Sequence, residues 1–234
     1  MIDTEKLEEV FEKVEAAFDF KKPKIALRSL FSTILAKMKN ADYCCEYLNR
    51  YKQKHQVQNA LYTARKLNLI GQGFDYNIFN RSLLRCVFYS LVGNNVSRID
   101  NLERIMLELF PDELGKYTND PKSFSFEKLL EEFPNKNITL VLQAIFDDHH
   151  SFTKVQRLRD QIAHSTIDNI LDNDPMLDEE DDCFINPDFT LSGEKEDVAD
   201  FAISLNDLLL EIEEQIFNCL MTHGKDCLND VQNQ

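Results

Sequence analysis

The 234-residue sequence has few residues that break helices and no recognisable metal-binding motif. It contains six glycines, six prolines and no tryptophan. So few helix breakers favour long helices over many short strands joined by turns. The six cysteines form no Cys-x-x-Cys pair and have no histidine at zinc-finger spacing, so we expect no structural metal. Cysteines scattered in this way are typical of a reducing compartment, and we expect a cytoplasmic protein.

Long hydrophobic runs are also missing. No segment approaches the roughly 20 consecutive apolar residues that span a bilayer. The N-terminal sequence MIDTEKLEEVF is acidic and lacks the basic start and apolar run of a signal peptide. Hydrophobic residues nevertheless make up 43% of the chain and include 17 phenylalanines, enough for a sizeable core. We therefore expect a soluble globular protein with no membrane partner.

Positive charge is scarce overall but concentrated in one segment. The net charge of −15 would ordinarily argue against nucleic acid as a partner. Residues 20–74, however, carry eleven basic side chains against two acidic ones, whereas residues 172–200 carry twelve acidic side chains and one basic one. Charge segregated in this way can create a local positive field. The basic segment is therefore either an RNA-binding surface, with Lys52, Lys54 and Arg65 as candidate contacts, or a solvated helix face.

Apolar residues recur at helical spacing through most of the chain, which predicts an all-α fold. We expect a single domain over residues 1–234, in which a helical bundle at 76–222 follows an additional N-terminal helical region at 1–70. The acidic stretch at 172–193 lacks periodicity and predicts a mobile loop. The predicted helices span 4–18, 25–69 with a break near Asn40, 76–92, 101–110, 126–133, 138–165, and a last one from Ser192 to about residue 222.

Local signals predict where several of these helices begin or end. Ser125 and Ser192 are suitable N-caps, and Pro111 and Pro134 should end the helices that precede them. We expect a turn at the adjacent residues 94 and 95, both asparagines, and a frayed tail after Gly224.

The predicted helix from Ile138 to about Ser165 has an apolar seam that includes two charges. Its members follow one another at intervals of four and three residues, as in a packed helix. A charge on such a face is costly unless it is paired or used. Arg159 is therefore a candidate functional residue, and a symmetric second copy covering it would make the protein a homodimer. The seam comprises Val141, Ile145, Asp148, Phe152, Val155, Arg159 and Ile162.

The segment RDQIAH, from Arg159 to His164, lies near the end of this helix. Its order of an arginine, a polar residue, a few further residues and a histidine resembles the motif of the HEPN family, in which Ile-Ala before the histidine is also common. The motif's place on the penultimate long helix also fits that family, and the preceding apolar helices are similar to those of its abortive-infection branch. The resemblance covers about residues 76–222, whereas the first 70 residues carry no assignable motif.

The resemblance implies a metal-independent endoribonuclease of the toxin or phage-defence type, with no cofactor and a site shared by two subunits. Arg159, Asp160 and His164 would be its catalytic residues. A histidine titrates near neutrality and can exchange protons with the ribose 2′-OH or the leaving 5′-oxygen. An arginine stays charged and offers a planar donor fork to the transition state. RNA would be the substrate, and an antitoxin or other regulatory protein is a further expected partner.

Two other interpretations of the same residues remain open. Arg159 could pair with a buried carboxylate and His164 could bond to carbonyl groups at a helix end. The chain would then be a non-catalytic HEPN-like module for dimerisation or partner docking. Nucleotide binding without cleavage is a third interpretation, but no glycine-rich phosphate loop supports it.

Overall fold

The computed structural model describes residues 4–20, 24–66, 81–148, 177–178, 183–184, 188–191 and 194–229. Helices make up nearly all of the regular structure in these ranges, which confirms the predicted all-α class. Six α-helices are described there: α1 (Thr4–Phe18), α2 (Ile25–Lys66), α3 (Arg81–Leu109), α4 (Phe126–Glu132), α5 (Asn137–Asp148) and α6 (Val198–His223).

Helix α2 is continuous, so the predicted break near Asn40 is wrong. Asn40 is exposed, and buried residues recur at intervals of three, four or seven residues on both sides of it. This unbroken apolar seam outweighs the modest helix propensity of one asparagine. The buried positions are Leu27, Phe31, Ile34, Met38, Ala41, Leu48 and Tyr51.

Helix α3 is also continuous and joins two helices that the sequence predicted as separate. The expected turn at Asn94 and Asn95 is wrong, because both residues lie inside the helix with buried side chains. Asn95 Oδ1 accepts a hydrogen bond from Arg98 Nη1 at 3.0 Å, one helical turn further on. That partner removes the usual tendency of an asparagine to bond its own backbone in a turn. The helix ends at Leu109, shortly before Pro111, as predicted.

The short helix α4 and the start of α5 follow the predicted signals. Ser125 caps α4 by accepting a hydrogen bond from the Lys128 N–H at 3.4 Å. Helix α4 ends at Glu132, ahead of Pro134, and α5 begins after Asn135 adopts a left-handed φ of 63°. Residues 149–165 of the predicted long helix lie outside the described residues.

The acidic stretch contains strands, so the expected loop without regular structure is wrong for its described residues. Strand β1 (Leu177–Asp178) pairs antiparallel with β2 (Cys183–Phe184). Strand β3 (Asp188–Leu191) pairs antiparallel with β4 (Glu194–Asp197), over four residue pairs. The second ladder leads directly into α6.

Helix α6 begins at Val198, and its cap lies five residues after the predicted one, Ser192. Its cap is Asp197, whose Oδ1 accepts hydrogen bonds from the N–H groups of Ala199 and Asp200, both at 2.9 Å. The predicted apolar stripe of this helix is confirmed, because every member is buried. The stripe comprises Val198, Phe201, Leu205, Leu208, Ile212, Ile216 and Leu220.

A 3-10 turn, Gly224–Leu228, follows α6 and is called the C-terminal turn below. The predicted fraying after Gly224 is wrong for these residues, since Gly224, Cys227 and Leu228 are buried. Gly224 has a φ of +51°, and a Cβ there would lie 2.4 Å from the Ala17 carbonyl oxygen. Only glycine tolerates both that conformation and that close approach.

The chain divides into two compact units, each assembled from separate stretches of sequence. Unit 1 comprises residues 1–39, 95–153 and 207–234, and unit 2 comprises residues 40–94 and 154–206. The core of unit 1 contains aromatic pairs such as Phe31–Phe217, with ring centroids 5.1 Å apart, and that of unit 2 contains Phe88–Phe201 at 6.4 Å.

Candidate functional site

The predicted catalytic residues Arg159, Asp160 and His164 lie outside the residues that the structure describes. Their roles and their mutual arrangement therefore stay predictions. The structure does describe α5, the first part of the helix on which the sequence analysis places them. Helix α5 belongs to unit 1.

The side-chain hydroxyl of Thr139 makes hydrogen bonds to the backbone at the start of α5. The Thr139 hydroxyl accepts a hydrogen bond from the Lys136 N–H at 2.9 Å and lies 2.8 Å from the Phe133 carbonyl oxygen, to which it donates. Thr139 is buried, so these bonds form away from water. The Asn137 side chain also donates to the Asp226 carbonyl oxygen at 3.1 Å. Several independent bonds thus fix the first turn of the helix.

One face of α5 packs into the core of unit 1. Ile138, Leu142 and Ile145 are buried, at intervals of four and three residues. Val141, which the sequence analysis placed on the seam, is half-buried, so the buried face is centred beside the predicted one. The side chain of Asp148, the first charge of the predicted seam, lies outside the described part. The helix is therefore anchored along its described length.

Lys52, a predicted RNA contact, is engaged by the end of the acidic segment. Its ammonium group bonds to Asp200 Oδ1 and lies 3.9 Å from Asp197 Oδ1. The hydrogen bond to Asp200 raises the pKa of Lys52, and the charges of both carboxylates act in the same direction. Lys52 is thus held in its charged form, with 22% of its side chain exposed. A phosphate at this position would compete with Asp200.

The other two predicted RNA contacts, Lys54 and Arg65, lie on α2, and their side chains are outside the described part. An α-helix turns about 100° per residue, so positions 54 and 65 fall within about 20° of each other. Position 52 lies about 200° from position 54. The continuous helix therefore brings Lys54 and Arg65 to one face and places Lys52 on nearly the opposite one.

A buried ion pair that was not predicted from the sequence joins α3 and α6 within unit 1. Arg98 donates from Nε to Glu213 Oε1 at 2.8 Å and from Nη2 to Glu213 Oε2 at 2.6 Å. Both side chains are 0% exposed. A bidentate arrangement of this kind is among the stronger ionic contacts in proteins. Because both charges are buried, removing either partner would leave an uncompensated charge and strongly destabilise the protein.

The sequence does carry a signal for this network. Asn95, Arg98 and Asn101 recur at intervals of three residues, which places them on one side of a helix. Glu213 lies four residues from both Leu209 and Phe217, which places it on an apolar side of α6. A polar stripe on one helix and a carboxylate on the apolar side of another indicate a buried polar contact, provided that α3 is recognised as continuous.

A groove of about 190 Å³ lies between α1 and α2 in unit 1. Three glutamates, Glu8, Glu12 and Glu15, line it together with one basic side chain, Arg28. This excess of carboxylates repels phosphate, so the groove is unsuited to RNA. The groove therefore adds no residue to the candidate ribonuclease site.

Within the described ranges, no group of three or more His, Cys, Asp or Glu side chains is arranged to hold a metal ion. No helix in the same ranges contains a stretch hydrophobic and long enough for a transmembrane segment. No protein-family model, curated protein or solved structure matches the chain.

Proposed function

We propose that the protein is a metal-independent endoribonuclease of the HEPN toxin or phage-defence type. The observation that carries the proposal is the segment from Arg159 to His164 in an all-α chain. The resemblance of that segment to the HEPN motif supports its assignment as the active site.

The proposed reaction needs only the residue types of this segment. His164 removes the proton from a ribose 2′-OH, whose oxygen attacks the adjacent phosphorus and expels the 5′-oxygen of the next nucleotide. Arg159 stabilises the additional negative charge on the phosphoryl oxygens in the transition state. Asp160 orients the arginine or histidine. The products carry a 2′,3′-cyclic phosphate and a 5′-hydroxyl, and DNA is not cleaved because it lacks the 2′-OH.

In this proposal a homodimer provides the complete site. Two copies of the Arg159–His164 segment would face one cleft, so that one histidine accepts a proton while the other protonates the leaving oxygen. Lys54 and Arg65 would bind RNA phosphates outside the cleft, and Lys52 would do so after release from Asp200. An antitoxin or another regulatory protein would restrain the enzyme in the cell.

The proposal is tested with purified protein, a labelled single-stranded RNA and EDTA. We expect the wild type to cleave this RNA and to leave a 2′-O-methylated copy intact, because methylation removes the nucleophile. His164→Ala should lower the rate by about 10²–10⁴. Arg159→Ala should have a comparable effect, and the double variant should be little slower than either single variant, because both groups act in one step.

His223→Ala is the matched control, because His223 is exposed at the end of α6 and has no role in the proposed reaction. It should cleave at the wild-type rate. Full activity of a folded His164→Ala variant would contradict the proposal, and so would cleavage of the 2′-O-methylated RNA.

One observation favours the alternative, a non-catalytic HEPN-like module that dimerises or docks a partner. Tyr43 and Tyr47 lie one turn apart on α2 and are 70% and 37% exposed. Exposed aromatic side chains are enriched at protein interfaces. If the wild type cleaves no RNA and replacing both tyrosines by serine abolishes self-association, the alternative is favoured.

A further inference from the structure

Two cysteines meet at the end of α6, although they are eight residues apart in the sequence. The Sγ atoms of Cys219 and Cys227 are 4.0 Å apart. Cys227 is 0% exposed and Cys219 is 6% exposed. The Cys227 thiol also lies 3.4 Å from the Cys219 carbonyl oxygen, to which it donates. The other cysteines with described side chains are Cys44 and Cys45, which are half-buried, and Cys86, which is exposed.

The packing of the C-terminal turn holds these sulfurs together. Gly224 lies directly against the Ala17 carbonyl at the end of α1. The Asp226 carbonyl accepts the hydrogen bond from Asn137 at the start of α5. Leu228 is buried beyond them. Since contacts on either side of Cys227 fix the turn, the approach of the two sulfurs is built into the fold.

We propose that Cys219 and Cys227 are a redox modification site, at which a small hydroperoxide converts the two thiols into a reversible disulfide. A disulfide bond is about 2.05 Å long. The sulfurs therefore need to approach by about 2 Å, which modest side-chain rotation can provide. This proposal does not depend on the ribonuclease activity.

The environment of the pair assigns a role to each sulfur. The side-chain hydrogen bond between the two cysteines lowers the pKa of Cys219, against the effect of burial. The same hydrogen bond and burial raise the pKa of Cys227. Because the thiolate is the nucleophile, Cys219 reacts first and Cys227 is the resolving thiol.

The reaction balances with hydrogen peroxide as the oxidant. The Cys219 thiolate attacks one peroxide oxygen, the O–O bond breaks, and Cys219 becomes a sulfenic acid while hydroxide leaves and takes up a proton as water. Cys227 Sγ then attacks the sulfenic sulfur, and the S–O bond breaks. The hydroxide that leaves takes the proton of Cys227 and forms a second water. Two thiols are thus oxidised by two electrons, and one peroxide is reduced to two waters.

Burial determines which oxidants can react. Hydrogen peroxide is close to water in size, and Cys219 keeps 6% of its surface exposed, so this oxidant can reach it. A large reagent such as glutathione disulfide cannot approach either sulfur without opening the turn. The exposed Cys86 should therefore react first with large reagents, whereas peroxide should also form the Cys219–Cys227 bond.

Tryptic mapping tests the proposal, because Lys225 lies between the two cysteines. Trypsin separates Cys219, in the peptide spanning 196–225, from Cys227, in the peptide spanning 226–234. After brief peroxide treatment of the folded protein and alkylation of the remaining thiols, these peptides should be recovered joined, with the loss of two hydrogens. Dithiothreitol should separate them.

The oxidised protein should also melt at a higher temperature, by roughly 5 °C, because the disulfide closes a short loop without straining the native state. A variant with Cys44, Cys45 and Cys86 replaced by serine is the matched control, and it should behave like the wild type.

Two outcomes would overturn the proposal. In the first, peroxide oxidises Cys86 in the wild type but joins no tryptic peptides. In the second, Cys219 is recovered as sulfinic acid or bound to a cysteine other than Cys227. A joined product whose Tm equals that of the reduced protein would overturn the claim that the fold already holds the sulfurs in a bridging arrangement.

Discussion

Replacing Glu213 by glutamine should destabilise the protein strongly, although the side chain keeps its size. Glu213 binds Arg98 through both carboxylate oxygens, at 2.8 and 2.6 Å, and neither side chain is exposed to solvent. Glutamine retains one acceptor oxygen and presents an NH2 group in place of the other. That group donates towards a guanidinium that also only donates. The substitution therefore removes a charge-assisted bond and leaves a buried cation without its carboxylate.

Two routes give the same magnitude for this effect. Breaking a buried ion pair by removing one partner typically costs about 3–5 kcal/mol. Losing one hydrogen bond between charged groups costs about 1.5–3 kcal/mol, and the bond that remains has a neutral acceptor, so the total loss approaches the same range. For a chain of this size, such a change lowers the melting temperature by roughly 6–20 °C.

The measurement is urea unfolding followed by circular dichroism, from which the free energy of unfolding is obtained for each variant. Glu9→Gln is the control, because Glu9 pairs with Lys13 at 2.7 Å on the exposed surface of α1. Its loss should stay below about 1 kcal/mol. Replacing Arg98 by methionine together with Glu213 by leucine should restore much of the stability, because no buried charge remains. The reasoning is refuted if Glu213→Gln costs no more than the surface control.

Two further predictions concern the proposed ribonuclease. Asp200→Asn should release Lys52 and tighten RNA binding several-fold, with a salt dependence steeper by about one counterion, as measured by filter binding at several salt concentrations. Unchanged affinity would make Lys52 a structural residue. The protein should also sediment as a homodimer at micromolar concentration, and a species that remains monomeric there would contradict a site composed of two subunits.

Helices were predictable wherever a continuous apolar seam ran along them. The pattern of α6 predicted every buried residue of its stripe, and Ser125 predicted the start of α4. The errors arose where a local signal was given more weight than the seam. Asn40, Asn94 and Asn95 have side chains suited to turns, but tertiary packing holds all three within helices.

The strands of the acidic stretch were missed for a different reason. High charge and the absence of periodicity favoured a loop, yet Ser192 and Gly193 form a dipeptide typical of tight turns. The paired residues Leu191 and Glu194 stand on either side of it, which is the spacing of a two-residue hairpin connection. The loop was predicted from the composition of the whole segment, whereas the signal for the hairpin depends on only two residues.

Some of the candidate functional contacts can be predicted from the sequence and others cannot. Arg159, Asp160 and His164 were found from a short motif, because the order of residue types is visible in sequence. The partners of Arg98 and Lys52 were not predicted, since each contact joins residues more than 100 positions apart. Such pairings depend on how helices pack, which periodicity alone does not specify.

The contact of Lys52 with Asp197 and Asp200 changes what the charge of the basic segment implies. The interpretation of residues 20–74 as an RNA-binding surface assumes that all eleven basic side chains are available to attract phosphate. A lysine that already bonds to a carboxylate contributes less to the positive electrostatic potential around the protein. An RNA phosphate that replaces this carboxylate therefore adds little binding free energy. Positions 54 and 65 fall on the other side of α2 from position 52, by the 100° turn per residue of an α-helix. RNA binding by this segment should therefore depend more on Lys54 and Arg65 than on Lys52.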